Sequence, residues 1–344
     1  MAVDFSTLNS SQIATLSTTQ MAALSSADLS TLSATTIKLL STAQFAAIKA
    51  AGIASLSSTQ FGALTNSELI ALTTAQASGL GSRAISGLSS TQIAVLETAD
   101  FARLSSSAVH SINVSQIHAV TTQQMAVMGA AQLLSLSTQA VAALSSRQLN
   151  TLSSGQISTL STAQMSALGD EQWRNLSTIN MAALKTSQLA VLGADRIDIL
   201  TTQQIKALIT QQFGKLTAAQ VDALTSTQLA AIETADVAAL SSLAIAGLGT
   251  HQISLLSTAQ IAALKDIQVA ALDSEVVAAF STAQMLALGS MQIAKLTPQQ
   301  IAVLSSQQLA TLSANDIGSL SSAALLALDS AQISSLSVNQ LAGM

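Results

Sequence analysis

Three histidines, His110, His118 and His251, are the only imidazoles in this 344-residue chain. His110 and His118 stand eight residues apart, and two histidines can begin a metal site. His251 is far from both, no carboxylate shares their register nearby, and the chain has no cysteine to supply a thiolate. They read as two solvated histidines, so no metal ligand is expected. The many serines have no His–acid partnership in pattern, so a hydrolytic triad is not expected either. Trp173 falls in a register of buried apolar residues and reads as core. Gly81, Gly129, Gly169, Gly193, Gly249 and Gly289 recur at one register but form no phosphate loop. No catalytic residue, cofactor-binding residue or cofactor is expected, and the chain does not read as an enzyme.

What positions all of these residues is a repeat of eight. "LSTAQFAAI" at 40–48 returns as "LSSTQIAVL" at 88–96, "LSTAQMSAL" at 160–168 and "LSTAQIAAL" at 256–264. Numbered so that the last residue falls on a multiple of eight, the chain holds 43 octads with no insertion. Position 8 is Leu in 36 of them, and position 5 is large and apolar in all but the octad of Ala77. Two buried side chains per octad are nearly obligatory.

Position 1 is Ser or Thr in 26 octads and Asn, Asp or Gly in ten more, the residues that favour a helix N-cap. Position 4 is Gln in 27 and Asp or Glu in six. Ser or Thr followed three residues later by Gln is a capping box, in which the hydroxyl takes one free amide and the Gln side chain returns to the cap amide. Asp28, Asp100, Asp236 and Asp316 replace Gln there. A carboxylate in the first turn is favoured by the helix dipole and can close the same box, so these read as structural. Position 8 of one octad and position 5 of the next are spaced as a hydrophobic staple. The one proline, Pro298, stands at position 2, the first helical position, which tolerates it.

These signals predict an all-α solenoid of 43 octapeptide repeats, each a capped helix of about one to two turns, in one continuous body over residues 1–344. So short a helix is stable only by packing on its neighbours. The small residues at positions 6 and 7 would let backbones approach closely. A continuous helix is rejected: a period of eight would rotate the Leu stripe by about 80° per octad. The rival is a β-solenoid. Against it, positions 5 and 8 would face opposite sides of a strand, and Ala and Gln are poor strand formers.

The octads resemble the L-[ST]-x-x-Q-[IVLMF]-x-x repeat tracts of large proteobacterial surface or secreted proteins of the adhesion, RTX-like type. The resemblance implies an extracellular or cell-surface structural role. The calcium nonapeptide of such proteins is absent, so no calcium role carries over.

Net charge is −5 with no basic cluster, which argues against nucleic acid as a partner. Lys and Arg are scattered and avoid positions 5 and 8. No apolar run is long enough for a transmembrane segment, and the first residues do not read as a signal peptide. The first octad, with Asp4, Phe5 and Leu8, and the last, with Gln340, Leu341 and Met344, both keep the register. Both ends therefore read as open, and the expected partner is another copy stacked end to end, giving a rod or filament. A binding or adhesion module for a protein or surface partner is the first alternative. Ice binding through a hydroxyl array at position 2 is the second.

Overall fold

The structure, a computed structural model, describes residues 9–344. The first octad, with Asp4, Phe5 and Leu8, lies outside the described residues. Among those described are 41 α-helices of four to six residues and no strand. The β-solenoid is thereby excluded over them, and the all-α solenoid of short repeats is the fold.

Residues 41–48 show how one octad works. Ser41 is extended, with φ −71° and ψ 158°, and its side chain accepts the Gln44 N–H. Thr42–Ala47 is helical. Ile48 then leaves the helix at φ −65° and ψ 134°, while its N–H still bonds the Phe45 carbonyl at 3.1 Å. Position 8 and the following cap are thus two successive extended residues, and they turn the chain before each new helix. No described residue has a positive φ, so no left-handed glycine is needed to end a helix. Pro298 opens the helix Pro298–Ala302.

The chain divides into two compact units, residues 1–176 and 177–344. Within the first, helices pack on those three octads away: Ser58–Ala63 on Ser82–Gly87, Ser90–Ala94 on Val114–Ala119. The second repeats this, with Thr258–Ala263 on Thr282–Ala287. Positions 5 and 8 line the core between the coils, and Trp173, Phe45, Phe101 and Phe213 are all fully enclosed there. Burial of position 5 depends on the coils that follow. Ile333 and Leu341, in the last two octads described, are 41% and 43% exposed, whereas Ile301 and Leu309, four octads earlier in each case, are fully covered.

Small residues at positions 6 and 7 bring backbones into contact. A Cβ on Gly87 would collide with the backbone of Ser58, and one on Gly247 with that of Ala218. The octad 193–200 departs from the pattern: its helical part is a single 3-10 turn, Ile197–Ile199.

Candidate functional site

Position 4 holds the chemistry that joins one coil to the next. The Gln60 Oε1 accepts the Ser57 backbone N–H at 2.7 Å, the half of the capping box expected from sequence. Its Nε2 runs the other way. It donates to the carbonyls of Leu29 at 2.9 Å and Leu32 at 2.7 Å, which lie 31 and 28 residues earlier. Gln116 does the same with Ile85 and Leu88, both at 2.7 Å. In the second unit Gln300 reaches Val269 at 2.9 Å and Leu272 at 2.7 Å. Each of these glutamines therefore caps its own helix and bonds the C-terminal carbonyls of a helix four octads back. With side-by-side packing at three octads, one turn of the coil holds between three and four octads.

These glutamines are buried; Gln60, Gln124, Gln212 and Gln300 are all but inaccessible. Buried amides must be paired, and here both ends are. Sequence reasoning found the acceptor role of position 4 and missed the donor role. A signal was present. A capping box accepts Glu as readily as Gln, yet Gln outnumbers Asp and Glu 27 to six at this position. Only the amide carries an N–H as well as an oxygen.

Where Gln is missing, the coil compensates or leaves a gap. Ala108 cannot donate, and the carbonyl 28 residues before it, Leu80, takes the Ser105 hydroxyl at 3.3 Å instead. Asp28 and Asp316 close the box as expected: each accepts its cap serine's N–H, at 2.8 and 2.9 Å. Asp316 also takes the Ser290 hydroxyl at 2.7 Å. Hydrogen bonds from Ser25 hold the Asp28 carboxyl below its ordinary value. Asp100 and Asp236 correct the expectation, because they form no box. Their caps are Glu97 and Glu233, and neither helix has a side-chain cap. Both aspartates are buried, which raises their pKa, that of Asp100 to about 6, and the neighbouring glutamate adds to each rise.

Elsewhere the side chains singled out from sequence stay apart. His110, His118 and His251 are exposed, and His110 Nδ1 lies 2.8 Å from the Ser135 carbonyl. Neighbours in space are three and four octads apart, so histidines one octad apart are not brought together. No group of three or more His, Asp or Glu with metal-holding geometry exists among the described residues. Gly129 and Gly169 sit at helix caps, as placed from sequence. The position 2 hydroxyls of Ser82 and Ser90 are turned to the next coil, donating to the Ser107 and Ser115 carbonyls at 2.9 Å. A shallow recess of about 510 Å³ in the second unit is lined in part by Asp222, Asp273 and Glu275, with no His, Lys or Arg in its wall. No helix among the described residues is long and apolar enough to cross a membrane.

A family model, the ALTTAQ repeat, matches residues 93–130 and 229–266. The second match begins 136 residues, or 17 octads, after the first. Both open just before an "ETAD" octad, so each contains one of the buried aspartates, Asp100 or Asp236. No curated protein matches the chain. Sequence, fold and family match agree on a repeat protein with a helical, solenoid-like repeat fold.

Proposed function

We propose that this chain is a structural element, an extended rod that associates head to tail into filaments. The observation that carries the reading is the directionality of the glutamine ladder. In each rung Nε2 points back toward earlier carbonyls, and the end-of-helix carbonyls are offered forward. The contact between successive coils is a translation of itself. A coil of one copy can therefore meet a coil of another through the same donors and acceptors it uses internally. Such a heterologous contact does not close on itself and yields fibres. A place at a cell surface or in an extracellular matrix is supported by the likeness to surface-protein repeat tracts. An enzymatic role is not part of the proposal.

A second reading, a binding module, is favoured by one observation. Leu243, Ile267 and Met291 occupy position 3 at successive steps of three octads and are 76%, 58% and 78% exposed. They form an apolar stripe on the outer side of the second unit.

Electron microscopy and sedimentation of the purified chain over a concentration series test the first reading. The triple variant Leu243→Ser, Ile267→Ser, Met291→Ser is run beside it. Fibres of uniform width in both samples support end-on stacking. Association that vanishes in the triple variant assigns it to the lateral stripe, and a monomer at every concentration removes the filament.

A further inference from the structure

Glu68 is the one glutamate in the position 4 register. It has the length of Gln and sits in the same helix geometry: Oε2 accepts the Thr65 N–H at 2.6 Å and the Thr65 hydroxyl at 2.8 Å. That oxygen plays the part of the glutamine Oε1. The other oxygen, Oε1, stands where glutamine carries its Nε2. It is buried without a hydrogen-bond partner, and the residue is 1% exposed. One octad before, Gln60 donates to Leu29 and Leu32; one octad after, Gln76 donates to Phe45 at 3.1 Å and Ile48 at 2.7 Å. By the same offsets the carbonyls that fall to Glu68 are those of Ile37 and Leu40.

A carboxylate there sets a negative oxygen in the ladder's donor place, where carbonyl oxygens need an N–H or O–H. A carboxylic acid supplies that hydrogen, since its O–H donates and its second oxygen still accepts from the cap. We propose that Glu68 is a proton-operated rung of the ladder: protonated, it joins its helix to the coil before it, and ionised, it leaves that junction open.

The surroundings leave little to hold a negative charge. The helix Asn66–Ile70 packs on Thr42–Ala47, which has no titratable side chain. In the octad of Ile37 and Leu40 the one charged group is Lys38, exposed at position 6. Asp100, four octads on, carries no positive charge. Burial raises the Glu68 pKa, and the Thr65 hydrogen bonds offset part of that rise. A group with a raised folded pKa contributes its stability below its unfolded pKa and loses it as pH rises through the folded one.

Two measurements on the full chain test this. First, thermal unfolding of the parent and of Glu68→Gln is followed from about pH 4 to about pH 8, a span that brackets an ordinary glutamate and a raised one. The proposal expects Glu68→Gln to melt a few degrees above the parent at neutral pH, with the gap closing toward pH 4. A gap that is constant with pH, or a parent that is the more stable at neutral pH, overturns it. Second, the parent is labelled with carbon-13 at the glutamate carboxyls. The chain has five glutamates, so five signals are followed. One signal, assigned by its loss in Glu68→Gln, should keep the protonated shift to a pH above the range of an ordinary glutamate. A Glu68 signal that titrates in the ordinary glutamate range overturns the proposal whatever the melting curves show.

Discussion

Gln116 and Leu88 stand 28 residues apart and are joined by a 2.7 Å hydrogen bond from the amide nitrogen to the leucine carbonyl. The same side chain accepts the Asn113 N–H at 2.9 Å. Replacing Gln116 by Met keeps most of the volume and removes these bonds: the Ile85 carbonyl keeps the Leu88 N–H at 3.2 Å, while the Leu88 carbonyl loses its donor and the helix loses its cap bond. Groups left unpaired in a buried place cost about 1–3 kcal/mol, and a loss of about 2–4 kcal/mol is expected in urea denaturation. Gln12→Met is the control. Gln12 is exposed and its side chain bonds its own cap, Asn9, so about 1 kcal/mol should be lost. Equal losses at the two sites would show that the capping half alone matters.

The close approach of coils is tested by two glycines of one octad. Gly87 faces the Ser58 backbone, and an added Cβ would collide with it. Gly81 stands at a cap with nothing within 4 Å of an added Cβ. Gly87→Ala should cost about 1–3 kcal/mol, the usual penalty for forcing atoms into a packed contact. Gly81→Ser should gain a few tenths of a kcal/mol, about 0.5, by supplying the missing cap acceptor. Melting temperatures moving in the same direction would count against this assignment of the two glycines.

These outcomes rest on features of unequal legibility in the sequence. Leu at position 8, the apolar residue at position 5 and the Ser–Gln cap are local, and each could be read from spacing alone. So could the small residues at 6 and 7, of which Gly87 and Gly247 are the clearest cases. The partners of Gln116 could not, because they depend on how many octads fill one turn of the coil. Nothing within an octad specifies that number. The departure of Asp100 and Asp236 from the capping box was legible in its local half and hidden in its burial. Their octads begin with Glu, an unfavourable cap, and their burial comes from coils distant in sequence.

Asp100 gives a pH dependence of its own. Burial and then the Glu97 charge raise its pKa from 3.8 to about 6, and Oδ2 is buried without a partner. The folded value lies above the unfolded one. Its contribution to stability is therefore complete below about pH 3.8 and is lost as pH rises through about 6. Asp100→Asn should remove this component, so the variant's melting temperature falls less than the parent's between about pH 5 and about pH 7. Glu97→Gln should move the midpoint of the fall to lower pH. It removes a like charge, which lets the Asp100 carboxylate form more easily, and it leaves the burial of Asp100 in place. The shift should be small, because burial is the larger cause. A midpoint that moves up in Glu97→Gln would contradict the like-charge assignment.

The octad 193–200 lacks both halves of its cap. Gly193 has no side chain to accept an amide, and Arg196 has no acceptor to return to the cap. Those losses alone are tolerated elsewhere. Gly129 caps a full helix when Gln132 accepts its N–H at 2.9 Å, and Gly81 with Ala84 still yields Ser82–Gly87. Arg83 puts a cation in the first turn of that helix as well, so what sets 193–200 apart is a cation at position 4 itself, where the cap amides need an acceptor. Arg196 is the one basic residue at position 4 of any octad. Arg196→Gln should restore the Gln half of the box and turn Ile197–Ile199 into part of an α-helix, with a gain of about 0.5–1 kcal/mol. Hydrogen exchange of the amides from Ile197 to Leu200 is the direct readout. Slower exchange in the variant, with Arg196→Ala between it and the parent, separates the regained acceptor from the removed charge. Protection unchanged in both variants would place the cause of the 3-10 turn outside the cap.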